Sequence, residues 1–297
     1  MTNAADKPLS AAHDPDPRKP ACAVPPLACD CHAHVFGPGD AWPFIPHGLY
    51  TPADALPDDF ARMRATLGLP RGVLVQPSIY GDDNRAMLDA LARDPKNLRG
   101  VAVLPFDAPV AEIERLHAQG VRGVRSNIVD LKFDKGKLPL DGLRALSERI
   151  TPFGWHIEFL MHVDEFPELD RQLGDFPVPL VFGHLGYVPA AQGTETHGFK
   201  ALIRLMRDGK AWVKLTAPYR LTLDPFPYSV VDPFAQVLVE RAPERLLWGS
   251  DWPHTFIKTA MPNDGDLFDL LARWVPDESL RKRILVDNPA RLYGFQD

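Results

Sequence analysis

Residues 27–34 read LACDCHAH: a short apolar run that ends in polar, metal-competent side chains. A loop follows, then a helical pattern, then another run of the same kind. The rhythm recurs at 71–76 (RGVLVQ), 99–104 (RGVAVL), 121–127 (VRGVRSN), 155–162 (WHIEFLMH), 179–186 (PLVFGHLG), 211–217 (AWVKLTA) and 245–251 (RLLWGSD), making eight runs in all. The second, third, sixth and eighth are nearly all apolar, as strands buried on both faces are. Helical spacing lies between runs. Residues 83–93 put Met87, Leu88 and Leu91 on one stripe, and 110–119 do so with Val110, Ile113, Leu116 and His117. Residues 138–150 and 199–206 repeat the pattern. Eight strand–helix units predict an α/β fold, a TIM-like (β/α)8 barrel of parallel strands over 27–297. A doubly wound open sheet is the competing architecture, and no glycine-rich dinucleotide turn supports it.

Composition agrees. The chain has 297 residues, 45% of them apolar, enough for one large core. Its 33 basic and 39 acidic residues leave a net charge of −6, which argues against nucleic acid as a partner. No apolar run approaches the roughly 18 residues of a membrane span. Three cysteines, Cys22, Cys29 and Cys31, lack zinc-ribbon spacing and suit a reduced, cytoplasmic chain. Residues 1–26 carry six prolines and no apolar secretory core, and are expected to form an irregular or disordered Pro-rich extension.

Barrel enzymes collect their chemistry at the C-terminal ends of strands. Here those ends carry His32 and His34, Gln76, Leu104, Arg125 and Asn127, His162, His184, Thr216 and Asp251. Strand starts carry Arg71, Arg99, His156 and Arg245, which read as the opposite, bottom face. His32 and His34 lie two apart, so period two points both into the barrel, while Cys31 points to the other face as packing. Two adjacent imidazoles suit a metal or a charge forming on oxygen. A carboxylate such as Asp251 can take a proton from water.

The ordered set Asp30-Cys31-His32-Ala33-His34-Val35-Phe36, His184-Leu185-Gly186 and Gly249-Ser250-Asp251-Trp252-Pro253-His254 resembles the amidohydrolase superfamily. More narrowly it resembles the branch of 2-pyrone-4,6-dicarboxylate lactonase and related lactonases. Gln76-Pro77-Ser78, Val121-Arg122-Gly123-Val124-Arg125-Ser126-Asn127 and Asn288-Pro289-Ala290-Arg291-Leu292-Tyr293 extend the likeness. The resemblance implies lactone hydrolysis, with Asp251 as general base and His32, His34 and His184 at the carbonyl. It implies anion contacts at Arg125, Lys132 and Arg220, a substrate-facing Tyr50, and further contacts at Gln76, Asn127 and His162. Two departures from the branch bear on the substrate: Tyr187 stands for an arginine, which removes one anion contact expected for a pyrone dicarboxylate, and Leu160 stands for a tyrosine, with His162 two residues on. Lys132 stands for an arginine.

The superfamily's bridged metal pair needs a lysine on the fourth strand, and residues 121–127 have none. The expectation is therefore a reaction that requires no cofactor, with a single divalent cation (Zn or Mn) on His32, His34, His184 and Asp251 as the alternative. Ser78 and Ser126 lack the strand–turn–helix context of a serine hydrolase. Trp42, Pro43, Phe44 and Tyr50 form an apolar loop after the first strand, a lid or a rim cover. The expected enzyme opens a small, carboxylated, anionic lactone from aromatic or sugar-acid catabolism, as a monomer or homo-oligomer. A lactone isomerase, a metal-dependent decarboxylase and a non-catalytic small-anion-binding barrel are the alternatives.

Overall fold

The computed structural model describes residues 7–129 and 137–296. Eight parallel strands run in sequence order: β1 (Cys29–Ala33), β2 (Arg71–Val75), β3 (Leu98–Ala102), β4 (Val121–Asn127), β5 (His156–Leu160), β6 (Leu180–Phe182), β7 (Ala211–Leu215) and β8 (Leu246–Trp248). The Asp251 N–H donates to the His32 carbonyl at 2.8 Å and the His34 N–H to the Trp252 carbonyl at 2.8 Å, bringing the segment after β8 against β1. The sheet is thus a nearly closed (β/α)8 TIM barrel.

Alternation sorts each strand into two layers. Val73, Val75, Val101, Val181 and Leu247 form one cluster, with Leu292, Tyr293 and Phe295 of the C-terminal segment plugging it. Leu74, Ala102, Leu180, Phe182, Leu246 and Trp248 belong to the larger cluster shared with the helices. The helices are α1 (Pro57–Leu67), α2 (Arg85–Arg93), α3 (Val110–Ala118), α4 (Leu140–Ile150), α5 (Leu169–Leu173), α6 (His197–Arg207), α7 (Asp232–Arg241), α8 (Asp264–Trp274), α9 (Glu278–Lys282) and α10 (Asn288–Tyr293). Ile113 and Leu116 of α3 are buried as their spacing predicts, whereas Val110, at the first turn, is exposed. The bottom-face reading of the strand-start arginines also holds: the guanidiniums of Arg71 and Arg99 lie over the Phe295 ring at 5.2 and 4.7 Å.

Two features place the site. First, β1 carries one extra residue: Asp30 pairs with Gly72 and Ala33 with Leu74, so three steps on β1 match two on β2. Such a bulge breaks strict parity. Cys29 and Cys31 join the interior cluster, yet His32 also reaches inside, onto Glu158 of β5 and Lys214 of β7. The expected outward face for Cys31 is therefore wrong, because period two does not survive the inserted residue. Second, β6 and β8 end early. His184 and Asp251 follow them on left-handed backbone, with φ of 52° and 65°. A non-glycine residue there costs on the order of 1 kcal/mol, and here the turn aims each side chain across the barrel mouth.

The described residues before β1 form no helix but are tied down. The Ser10 N–H donates to the Thr51 carbonyl at 2.8 Å, and the Ala21 N–H to Asp269 of α8 at 2.9 Å. Among the described residues no helix is long and apolar enough to cross a membrane.

Candidate active site

At the mouth, four side chains from three distant segments meet. Asp251 Oδ1 lies 3.4 Å from His32 Nε2 and 3.7 Å from His34 Nε2. The His184 ring stands edge-on to His32, with centroids 5.3 Å apart. All four residues are buried. The structure brings His32, His34, His184 and Asp251 together at the mouth.

Hydrogen-bond roles follow from chemistry. His34 Nδ1 sits 2.7 Å from the Val75 carbonyl. A carbonyl only accepts, so Nδ1 carries the proton and Nε2 presents a lone pair to the site. His32 Nδ1 faces two groups of opposite kind: Glu158 Oε1 at 3.1 Å and Lys214 Nζ at 3.1 Å. Lys214 Nζ is also 2.6 Å from Glu158 Oε2. Neither His32 Nε2 nor Asp251 Oδ1 has a hydrogen-bond partner in the protein, and His184 Nδ1 has none either.

The charge states are set by burial and neighbours. Burial, then Lys214, pushes the His32 pKa down to about 3. Burial lowers His34 and carries His184 well below its ordinary value. The three imidazoles are therefore neutral near pH 7. Burial pushes the Asp251 carboxyl up, but Arg220, and after it His184, holds it well below the usual carboxylate range. Asp251 is ionised.

Its second oxygen is fully occupied. Arg220 Nε and a terminal nitrogen lie 2.8 and 2.6 Å from Asp251 Oδ2, and the Tyr219 hydroxyl donates to it at 2.8 Å. Tyr219 in turn lies 2.8 Å from His254 Nδ1, and His254 Nε2 lies 3.1 Å from Asp264 Oδ1. Below, Asp30 accepts from the His32 N–H, the Ser250 N–H and the Ser250 hydroxyl at 3.0, 3.0 and 2.6 Å, locking β1 to the Asp251 turn. Burial pushes the Asp30 carboxyl up to about 6.

A cavity of about 200 Å³ opens above, lined by His34, Tyr50, Arg125, His184, Arg220 and Asp251. Tyr50 donates to Thr255 Oγ1 at 3.2 Å and stacks on Phe256 at 5.2 Å, so the loop after β1 is a rim cover joined to the loop after β8. Leu160, Tyr187, Val129 and Phe256 make the rest of the wall largely apolar. The other expected contacts lie elsewhere. Gln76 donates to the carbonyls of Asp83 and Gly81 at 2.8 and 3.4 Å and so braces the loop after β2. His162 Nδ1 meets the Tyr187 carbonyl at 2.6 Å and its ring packs on Tyr187. Asn127, at the end of β4, is outside the lining. Lys132 lies outside the described residues.

Sequence reasoning missed Glu158, Lys214, Tyr219 and His254. The first two had a signal: Glu158 shares strand parity with Leu160 and His162, and Lys214 with Thr216. Tyr219 and His254 sit in irregular loops, where no periodicity applies.

His32, His34 and Asp251 offer donor atoms that all lie within 4.8 Å of one another. Two imidazole nitrogens and a carboxylate oxygen, two of these atoms partnerless, fit a single divalent cation such as Zn or Mn. A bridged pair does not fit, since β4 has no lysine.

A family model described as amidohydrolase matches residues 29–295. A 2-pyrone-4,6-dicarboxylate hydrolase of Comamonas testosteroni is 38% identical over 287 residues, covering 94% of this chain and 93% of that protein. A 4-sulfomuconolactone hydrolase of Rhizobium radiobacter is 38% identical over 274 residues, covering 92% and 91%. Among solved structures, a probable 2-pyrone-4,6-dicarboxylic acid hydrolase of Acinetobacter baumannii with citric acid bound superposes with a TM-score of 0.82 at 29% identity, covering 91% of this chain and 100% of that one.

Proposed function

The chain belongs to the amidohydrolase family, and on that premise we propose that it hydrolyses the ring ester of a small, carboxylated lactone. The observation that carries this reading is the ionised Asp251, its Oδ1 partnerless and facing two neutral imidazoles at the floor of a cavity flanked by Arg125 and Arg220. The hydrolase names of the two relatives support it.

In this reading a water molecule donates to Asp251 Oδ1 and to the His34 Nε2 lone pair. Asp251 takes its proton as the water attacks the lactone carbonyl, and gives it to the ring oxygen as the tetrahedral intermediate collapses and the ring C–O bond breaks. His184, at the cavity wall, faces the carbonyl oxygen as it gains charge, and low-dielectric surroundings strengthen that contact. Arg125 holds the substrate's carboxylate, and Tyr50 closes one side. The apolar wall of Leu160, Val129 and Phe256 favours a lactone with one carboxylate and an apolar flank over a compact dicarboxylate. Arg220 already balances Asp251, so the charge of the site needs no cation. A second reading, favoured by the convergence of three donor atoms, places one divalent cation on His32, His34 and Asp251. When bound it would supply Lewis-acid polarisation and a more acidic water. A cytoplasmic setting goes with either, supported by three unpaired thiols.

A panel of muconolactones, pyrone carboxylates and aldonolactones, incubated in oxygen-18 water, tests the proposal. Ring-opened acid carrying solvent oxygen is expected. Asp251→Asn is expected to lower kcat by about 10²-fold or more with little change in affinity. Product without solvent oxygen points to an isomerase, carbon dioxide to a decarboxylase, and a fully active Asp251→Asn enzyme removes the base.

A further inference from the structure

We propose that the buried Lys214–Glu158 pair sets the tautomer of His32, and thereby decides whether the nest of His32, His34 and Asp251 receives a water molecule or a divalent cation. This deepens the proposed function but is independent of which lactone, if any, is the substrate.

An ammonium can only donate a hydrogen bond and a carboxylate can only accept one. Both reach the same atom, His32 Nδ1, at 3.1 Å each. A neutral imidazole nitrogen serves one of them at a time. If Nδ1 accepts from Lys214, the proton is on Nε2, which faces Asp251 Oδ1. The nest then presents one donor, His32 Nε2–H, and two acceptors, His34 Nε2 and Asp251 Oδ1. That set matches a water molecule, which gives two hydrogens and accepts one. If Nδ1–H instead donates to Glu158, all three inward atoms are lone pairs. That set suits a cation, whereas a water molecule, with two hydrogens, serves only two of the three.

The switch moves no net charge. Lys214 and Glu158 stay paired at 2.6 Å in both arrangements, with side chains 0% and 2% exposed. His156 and Tyr293 are further ionisable neighbours: His156 Nε2 lies 3.9 Å from Glu158 Oε2, both its ring nitrogens lack protein partners, and the Tyr293 ring stands edge-on to it at 5.3 Å. A buried ion pair contributes little to stability on balance, so holding one under a site is better explained by what it orients. Second-sphere partners of ligating histidines act on affinity in this way. Here the partner is double, one group for each tautomer.

The test uses the full chain, stripped by chelator and labelled with nitrogen-15 at histidine, and Zn²⁺ alone as the probe. In the metal-free protein the His32 resonances are expected to report Nε2–H, and on adding Zn²⁺ to report Nδ1–H. Lys214→Met removes the donor and is expected to tighten Zn²⁺ binding about tenfold, with Nδ1–H already present before metal. Lys214→Gln keeps a donor without the charge and is expected to keep the Nε2–H form, which separates tautomer control from simple charge repulsion. Glu158→Gln is expected to weaken Zn²⁺ binding. The wild-type spectra suffice should a variant fail to fold. An Nδ1–H tautomer in the metal-free wild type, or identical tautomers in the Met and Gln variants, overturns the proposal. No readout involves a lactone, so failure to find a substrate leaves these outcomes untouched.

Discussion

Arg220 holds Asp251: two guanidinium nitrogens lie 2.8 and 2.6 Å from the same carboxylate oxygen, Oδ2. The expected role of Arg220 was to bind a substrate anion. The pairing gives it a prior partner, and leaves Oδ1 alone to face the imidazoles.

This contrast between the arginines can be measured. Arg220→Ala is expected to lower kcat at least tenfold and to destabilise the fold by about 3 kcal/mol, because Asp251 is left charged and buried. Arg125→Ala is expected to raise KM with a smaller change in kcat. Steady-state kinetics on both variants, with urea denaturation of the first, decide the matter. A pure KM effect for Arg220→Ala would return it to the role of anion anchor.

Tyr219 is the second restraint on Oδ2. Its hydroxyl is held between Asp251 and His254, which is itself backed by Asp264. A hydrogen bond to a charged group contributes about 1.5–3 kcal/mol, so Tyr219→Phe is expected to reduce kcat roughly tenfold or more, leaving KM nearly as it was. An unchanged kcat shows that Asp251 is oriented by Arg220 alone.

The pH dependence of stability follows from the histidines. His32 falls from an ordinary 6.5 to about 3 on folding, and His34 and His184 move the same way. Between those values the unfolded chain binds more protons than the folded one, so stability rises with pH and is complete above 6.5. On acidification it is lost by up to about 1.4 kcal/mol per pH unit for each histidine. Asp30, raised from 3.8 to about 6, offsets one histidine between those values, and Asp251, held low, adds a loss only below the usual carboxylate range. Urea midpoints of chelator-treated protein from pH 8 to pH 4 are expected to be flat at first and to fall below pH 6.5. A midpoint that does not change across that range would falsify the assigned neutral states.

Much of this was legible beforehand. Apolar runs, their spacing and the stripes of α2 and α3 are local patterns, since a residue's neighbours along the chain fix which face it occupies. The His32–His34 pair and the two turn residues His184 and Asp251 stood at run ends and could be read as converging once a barrel was assumed. The sequence stripes do not mark α1, α5, α7, α8, α9 or α10. Tyr219 and His254 carry no period, and Cys31 was misplaced because the β1 bulge is invisible in composition.

The barrel and the four side chains around its mouth can be read from residue order alone, because strand periodicity and strand-end chemistry are properties of short stretches. That Arg220 belongs to Asp251, that Glu158 and Lys214 compete for His32, and that Gln76 and His162 serve the loops emerges from the folded barrel. Those contacts join residues far apart in the chain. Their partners are chosen by barrel closure, by one inserted residue in β1, and by the need of each buried polar group to be paired.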